Sequence, residues 1–281
     1  MIFVIIPVFN RWHYTKECLL SLHAQECKDF KIVVVDHGST DETSHRLKIE
    51  FPNVIVLKGN ESMWWTAATN LGVKFALKEN CSHILCLNND LTVYPNYLQT
   101  FNELIKINPH SLIGSSAVDK NNSENVIFKG IKWNKWTARY QSLAKMKRIP
   151  EAYEEPDFYY TDLLPGRGTL VPVSAFKEIG LFDDVNFPHY GSDEDFSLRC
   201  KKKGYALLVS KKAIVHSVVE ATGLTKIRNQ GTLKYFNEIF SSIKSPLNLK
   251  RRWLWAKLHS PFPLMYFLFD FIRILISQIR Y

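Results

Sequence analysis

The sequence predicts an α/β fold built on a mostly parallel, doubly wound sheet. Apolar runs of strand length alternate with segments of helical spacing through the first 110 residues, and this βαβαβαβ order is typical of such sheets. The first run is continuously apolar, as expected for a parallel strand that is covered on both faces. With 281 residues, 46% of them apolar and 22% charged, the chain can form one large α/β domain with an appendage.

The elements of the first half follow from these runs in chain order. The predicted strands are short and apolar, and they lie at residues 2–6, 31–35, 54–57 and 84–87. The predicted helices between and after them lie at residues 15–24, 41–50, 67–78 and 97–107. Ser39 or Thr40 caps the second helix, and Asn108-Pro109 stops the fourth.

The pattern loosens in the second half. Residues 114–160 are rich in polar and aromatic side chains and predict strands joined by long loops. Two further helices, each followed by a glycine of the kind that ends helices, and two short strands complete the predicted domain. They lie at residues 174–179 and 193–203, and at residues 206–209 and 213–215.

The positive charge is concentrated at the end of the chain. The formal net charge is +9, and residues 226–281 carry +8, with ten Lys and Arg against two Asp and Glu. Such a segment binds nucleic acid or an anionic membrane surface, and its many aromatic and aliphatic residues favour the membrane. Asp270 and Arg273 interrupt the apolar stretch, which is too short for a span and suits a helix lying in the interface. The alternative is packing onto the preceding domain or onto a second subunit, as in a homodimer.

The five cysteines show neither metal-type spacing nor a disulfide pattern. They are odd in number and scattered, so we expect reduced thiols in a cytoplasmic protein. The N-terminal run reads as a strand and lacks the charged start and cleavage site of a signal peptide.

The most informative feature is an acidic turn, Asn88-Asn89-Asp90, that follows the fourth strand. In open α/β sheets, ligands bind in the crevice beyond the carboxyl ends of the strands. Carboxylate and amide oxygens in that position suit a hard divalent cation such as Mg²⁺ or Mn²⁺, which would neutralise a diphosphate. The turn therefore indicates nucleotide chemistry, with an ordinary polar β-turn as the alternative.

Two more acidic sites fall at the ends of predicted elements. Asp36 ends the second strand, and Asp193-Glu194-Asp195 opens a helix. Carboxylates gathered in one cleft repel each other and commonly mark a metal site or a proton transfer. Simple helix capping is the alternative, and it is weaker for three adjacent acids.

Five motifs, in the same order, resemble the family 2 inverting glycosyltransferases of the GT-A fold. The match covers roughly residues 1–220, and each motif alone is weak. The third motif is similar to a branch often called rhamnosyltransferase-like. The motifs are residues 4–10, 33–41, 59–65 with 70–72, 87–90, and 180–183 with 193–199.

The resemblance implies an organisation and a reaction. A GT-A, Rossmann-like domain would cover residues 1–225, with the nucleotide bound by about 1–110 and the acceptor by about 111–225, before a helical, membrane-facing tail at 226–281. It implies metal-dependent transfer of a sugar from a UDP- or dTDP-sugar to a glycan or lipid-linked glycan by single displacement. We expect a role in polysaccharide biosynthesis, peripheral to the inner face of the cell membrane.

The resemblance also assigns residues to the nucleotide-sugar donor. Pro7 and Phe9 would frame the base pocket, and Asp36 would lie beside the base and ribose. The family usually has a second Asp where this chain has His37, whose neutral imidazole also accepts a hydrogen bond. The remaining donor-binding residues, along the diphosphate path or near the metal, are Asn60, Asn70, Asn88 and Asn89.

The remaining assignments concern the metal, the base and the acceptor. Asp90 would be the main metal ligand and His216 a second one, unless His216 is an ordinary strand-end histidine. Asp193 is the expected general base and Asp195 the second choice. Four residues are expected near the sugar or acceptor, and they are Trp64, Trp65, Gly166 and Arg167. The alternatives are core or lid packing for the two tryptophans and an ordinary turn for the other two residues.

Two other functions compete with this interpretation. A nucleotidyltransferase of related fold also uses a metal, but it wants a Gly-rich basic loop that residues 8–11 do not supply. A non-catalytic, membrane-associated relative is the other rival. The change at His37 favours it, while Asp90 and Asp193 weigh against it.

Overall fold

The structure is a computed structural model that describes residues 1–218 and 232–279, so the predicted boundary at 225/226 lies outside the described residues. The strands are β1 Ile2–Val8, β2 Phe30–Asp36, β3 Ile55–Lys58, β4 His83–Cys86, β5 Leu91–Val93, β6 Ser111–Asp119, β7 Val126–Phe128, β8 Ile131–Asn134, β9 Arg139–Ser142, β10 Phe158–Tyr160, β11 Thr169–Pro172 and β12 Ala206–Ser217. The helices are α1 Trp12–His23, α2 Thr43–Glu50, α3 Trp64–Ala76, α4 Tyr97–Ile107, α5 Val173–Ile179, α6 Ser192–Lys202, α7 Thr232–Ser241, α8 Leu249–His259 and α9 Pro263–Ile279.

The first half of the chain forms the parallel side of the central sheet. Strands β3, β2, β1 and β4 lie side by side in that order, with every pairing parallel. The register sets Val8 beside Asp36 and Asp36 beside Lys58, so three strands end at one edge. All seven residues of β1 are buried, as its continuous apolar run predicted. The α/β prediction is confirmed.

The second half makes the sheet mixed. Strand β11 lies antiparallel between β4 and β6, and β12 runs parallel to β6. The prediction of two short strands at residues 206–209 and 213–215 is wrong, because β12 is continuous. Its register shifts between Ser210 and Ile214, and the Ser210 hydroxyl accepts the N–H groups of Lys212 and Ala213 at 3.1 and 2.8 Å. A β-bulge therefore carries the strand across the polar residues that suggested a break.

The last two described helices fold back onto the domain. A group of buried residues, here called the tail cluster, joins them to the second half of the sheet domain. Tyr266, at its centre, accepts hydrogen bonds from the indole N–H groups of Trp133 and Trp255 at 2.9 and 3.1 Å. The tail cluster consists of Ala138, Leu163, Phe187, Leu198, Trp255, Ala256 and Tyr266.

Trp255 and Arg252 of the basic helix α8 are therefore not available to a membrane. Trp255 is buried, and Arg252 makes two contacts to the buried carboxylate of Asp270 on α9. The alternative of packing onto the preceding domain describes α8. Over the described residues, no helix has both the length and the apolarity for a membrane crossing.

Candidate active site

The shared edge of β1, β2 and β3 forms the first part of the site. Asp36 ends β2 and is 3% exposed. One of its carboxylate oxygens accepts the N–H of Ser39 at 2.9 Å, and the other accepts the hydroxyl of Ser44. The Asn10 amide oxygen accepts the N–H of Thr40 at 2.7 Å, which ties the loop after β1 to the loop after β2. Asp36 thus holds the shape of this edge.

An aromatic pair lies on this edge, where the base pocket is expected. The rings of Phe9 and His37 stack with their centroids 5.4 Å apart, and Phe9 is 42% exposed. Burial lowers the pKa of His37 although the charge of Asp36 opposes this, so the imidazole is neutral at pH 7. Its Nδ1 atom is buried and has no hydrogen-bond partner among the described residues. Pro7 is buried in β1, two positions before Phe9.

His189 lies close to the same pocket. The sequence interpretation did not assign this residue to the site. Its ring centroid is 5.6 Å from that of Trp64, and its pKa is lowered to about 4 by burial and by the charges of His37 and Lys244. Thr66 on α3 anchors this loop through hydrogen bonds to the carbonyls of residues 187 and 188. Only the position of His189 just before the acidic cluster could have drawn attention to it.

Trp64 and Asn60 shape the turn that leads into α3. Trp64 has φ +50°, a left-handed backbone that is uncommon outside glycine, and Lys244 lies 5.7 Å from its ring centroid. Asn60 is exposed, and its side-chain oxygen accepts the N–H of Ser62 at 3.1 Å. Both residues lie next to the sheet edge, because the backbone N–H of Gly59 bonds to the carbonyl of Asp36.

The acidic turn follows β4 on the neighbouring part of the edge. The Asn88 side-chain oxygen accepts the indole N–H of Trp65 at 2.9 Å, and the Asn89 amide donates to Thr15 at 3.0 Å. These amides therefore fix the turn. Burial raises the pKa of Asp90, while the positive charges of Arg167 and then Arg11 lower it.

A series of contacts joins this turn to the start of α6. The ring of Trp65 packs on Gly166, where a Cβ would lie 2.4 Å from ring carbons. The N–H of Gly166 donates to a carboxylate oxygen of Asp193 at 2.6 Å, and the other oxygen accepts the N–H of Glu194 at 2.9 Å. A small cavity reaches from Cys86 at the end of β4 to Gly166 and Asp193. The acidic turn and the carboxylate of Asp193 therefore lie on one side of the molecule.

Two residues that were expected in the site are instead buried and bonded to other parts of the fold. Asp195 is 3% exposed and binds Arg199 at 2.8 Å and His259 at 3.0 Å. Burial alone would raise its pKa, but the hydrogen bond from His259 and the charge of Arg199 lower it. Asn70, 2% exposed, pairs through both ends of its amide with the backbone of Phe182 at 2.9 and 3.1 Å. The geometry therefore does not suit Asp195 as the base or Asn70 in the diphosphate path.

The tail adds a residue to the site that the sequence interpretation missed. The guanidinium of Arg251 lies against Gly191 at the start of α6, where a Cβ would be 2.8 Å from Nη1. Burial and the neighbouring charge of Asp193 raise the pKa of Glu194 to about 7, and Arg251 acts in the opposite direction. No spacing in the sequence links residue 251 to residue 191, so only the fold reveals this contact.

Asp90 and His216 are the candidate ligands for a divalent cation. His216 lies opposite Thr92 in the antiparallel pair of β12 and β5, and Asp90 lies in the turn just before β5, so both are near the start of that strand. The Nε2 atom of His216 is buried and has no hydrogen-bond partner within residues 1–218 and 232–279, and burial lowers the pKa of this imidazole, so it is a neutral potential ligand. No group of three His, Cys, Asp or Glu suited to a metal occurs among the described residues. Mg²⁺ is commonly bound through one or two carboxylates together with substrate phosphates, which is a role that Asp90 could fill.

Comparisons with known proteins agree on one family. A model described as "Glycosyl transferase family 2" matches residues 3–161, and one described as "Glycosyl transferase family group 2" matches residues 83–281. An uncharacterised glycosyltransferase of Rickettsia typhi is 29% identical over 197 residues, which are 66% of this chain and 54% of that protein. Glycosyltransferase GlyA of Streptococcus pneumoniae is 24% identical over 180 residues, which are 63% of this chain and 25% of that protein. This chain thus spans about half the length of the Rickettsia relative.

Solved structures show the same fold. GalNAc-T7, crystallised with UDP, GalNAc and Mn²⁺, superposes with a TM-score of 0.66 at 14% identity over 91% of this chain and 50% of that chain. TarS of S. aureus, in complex with UDP-GlcNAc, gives a TM-score of 0.58 at 16% identity over 91% of this chain and 65% of that chain. The likeness shows a GT-A-like fold with a mixed sheet and C-terminal helices.

Proposed function

Because this chain belongs to glycosyltransferase family 2, we propose that it transfers one sugar, with inversion, from a UDP- or dTDP-sugar to a hydroxyl of a glycan or lipid-linked glycan. The main support is the contact series Asn88–Trp65–Gly166–Asp193, which joins the carboxylate of Asp193 to the acidic turn. The rhamnosyltransferase-like motif at residues 59–65 makes dTDP-rhamnose the first donor to test.

The donor base would lie on the edge formed by β1 and β2. The exposed face of Phe9 can stack on a pyrimidine base. The Nδ1 atom of His37, which has no partner among the described residues, can form a hydrogen bond with that base. His189 would line the same pocket from the loop before α6. The hydrogen bonds of Asp36 fix the backbone that follows β2. A neutral His37 also avoids placing a second negative charge beside Asp36.

The diphosphate would lie over the acidic turn. Asp90 and His216 would hold a divalent cation there, which supplies positive charge to stabilise the leaving diphosphate. Arg167 and Arg11 add positive charge to the same place, because both act on the carboxylate of Asp90. Their guanidinium groups suit phosphate oxygens, which they can bind through two parallel hydrogen bonds.

Asp193 would act as the general base. Two backbone N–H groups, of Gly166 and Glu194, orient its carboxylate at the edge of the cavity. It would take the proton of the acceptor hydroxyl while that oxygen attacks the anomeric carbon and the nucleoside diphosphate leaves from the opposite face. Asp195 cannot share this task without breaking its contacts to Arg199 and His259.

A release assay tests the proposal. The full chain is incubated with UDP- and dTDP-sugars, in Mn²⁺, in Mg²⁺ or in EDTA, and free nucleoside diphosphate is measured. We expect release from one donor only, dependent on the metal, and slower by at least about 100-fold in Asp90→Asn because the leaving group loses its counter-ion. The matched control is Asp29→Asn, which is 71% exposed and precedes β2, at the opposite end of that strand from Asp36.

Two outcomes would favour the rival functions. Pyrophosphate release from a nucleoside triphosphate and a sugar 1-phosphate would assign the chain to nucleotidyl transfer. A complete lack of thermal stabilisation by every donor, with metal present, would point to a non-catalytic relative, because a bound ligand stabilises the folded state.

A further inference from the structure

One face of α9 is apolar and exposed. Six of its side chains are between 43% and 64% exposed, and their spacing puts them in a single stripe along the helix. The opposite face, with Tyr266 and Asp270, is buried against α8 and the sheet domain. The six residues, here called the α9 stripe, are Leu264, Met265, Leu268, Phe269, Ile272 and Ile276.

Tryptophan and lysine side chains flank the α9 stripe at two places. On the hairpin between β8 and β9, Lys135 lies 5.8 Å from the ring centroid of Trp136, whose ring packs 5.5 Å from Phe262 just before α9. On α8, Lys257 lies 5.9 Å from the ring of Trp253. Trp253 in turn packs 5.5 Å from Phe267 on α9. Such an arrangement is typical of helices that lie in a membrane interface, with rings at the headgroup level and ammonium groups among the phosphates.

The charge around the stripe has one sign. Residues 131–142 and 249–279 contain a single acidic residue, Asp270, and it is buried in its pair with Arg252. The exposed cations of the same segments are Lys132, Lys135, Arg139, Lys250, Lys257 and Arg273. A second copy of this chain, docked stripe to stripe, would set two positive rims against each other. An anionic lipid surface complements both the stripe and its rim.

We propose that the α9 stripe seats the protein on an anionic phospholipid bilayer, with α9 lying parallel to the surface. The exposed side chains of the stripe would enter the acyl boundary, and Lys135 and Lys257 would meet lipid phosphates. The assignment differs from the sequence-based one, because the Arg-rich start of α8 is packed inside the protein.

Binding of α9 to the bilayer would also orient the candidate active site, and this inference rests on the proposed function. Helix α8 links the surface-bound helix to the catalytic one, since Arg251 touches Gly191 and His259 bonds to Asp195 at the start of α6. The acceptor side of the proposed site would thereby lie near the bilayer, where a lipid-linked acceptor is found.

Vesicle co-sedimentation of the full chain tests the proposal. Phosphatidylcholine vesicles with and without phosphatidylglycerol are compared at low and high salt. We expect binding only to the anionic vesicles, weakened by salt, and weakened at least about 10-fold in Leu268→Asp/Ile272→Asp, because two apolar side chains no longer leave water. The matched control is Ile49→Asp/Ile107→Asp, whose residues are 63% and 64% exposed on other helices.

A second variant guards against misfolding. Lys135→Glu/Lys257→Glu leaves the stripe intact, and we expect it also to lose binding to anionic vesicles. Equal binding of the wild type to neutral vesicles, or no binding at all, would overturn the proposal. So would a wild-type dimer, seen by analytical ultracentrifugation, that Leu268→Asp/Ile272→Asp dissolves. Release of nucleoside diphosphate from a soluble donor should be unchanged in all of these variants, which separates this test from that of the proposed function.

Discussion

Single residues decide which carboxylates of α6 are available for chemistry. Asp193 and Asp195 lie two positions apart, so on a helix they point to nearly opposite sides. One is oriented by backbone N–H groups beside the cavity, and the other is buried between Arg199 and His259. The sequence supports both as bases, because His259, which ties down Asp195, lies 64 residues away.

Glu194 should make stability depend on pH. Its pKa rises from 4.5 to about 7 on folding, mainly through burial. The unfolded chain therefore loses this proton at lower pH than the native protein does. The contribution is fully present below pH 4.5, and it is lost as the pH rises to about 7. We expect the free energy of unfolding of the wild type to fall over this range relative to that of Glu194→Gln, measured by urea denaturation.

The comparison with Glu178→Gln, a carboxylate on α5, controls for the loss of any acidic side chain. If the wild type and Glu194→Gln keep a constant difference in unfolding free energy between pH 4.5 and 7, the carboxyl of Glu194 is not held in its protonated form by the fold.

At the scale of elements, the tail is part of the folded domain. The hydroxyl of Tyr266 on α9 receives N–H groups from Trp133 on β8 and from Trp255 on α8, so one atom links three elements. The predicted tail at residues 226–281 was recognised by its composition. Its docking could not be predicted, because the partner of Tyr266 on the sheet domain is 133 residues away.

Tyr266→Phe should loosen this junction. The substitution keeps the ring and leaves two indole N–H groups without their acceptor, which costs about 2 kcal/mol or more of unfolding free energy. Urea denaturation followed by tryptophan fluorescence measures it. Tyr160→Phe, at a position that is 38% exposed on β10, should change stability by less than about 0.5 kcal/mol. Equal effects of the two substitutions would show that the junction adds nothing specific.

Over the whole molecule, local sequence patterns predicted the helices and strands, whereas contacts between residues far apart in the chain could not be predicted from the sequence. Helix α4 was predicted at its observed bounds, residues 97–107, because its apolar spacing and the following Asn-Pro are local signals. The bulge in β12 was missed because it depends on pairing with β6, across about 100 residues of chain. The site divides in the same way. Its acids followed from motifs, whereas His189 and Arg251 reach it only through tertiary packing.

The proposed function depends most on Asp193, which would take the acceptor proton beside the acidic turn. The most direct test measures donor affinity and nucleoside diphosphate release in Asp193→Asn, using the donor identified by thermal shift. General-base catalysis contributes about 10²–10⁴-fold. We therefore expect unchanged donor affinity with release slowed by at least about 100-fold, while Asp195→Asn loses mainly stability. Release by Asp193→Asn at a rate close to that of the wild type would contradict it.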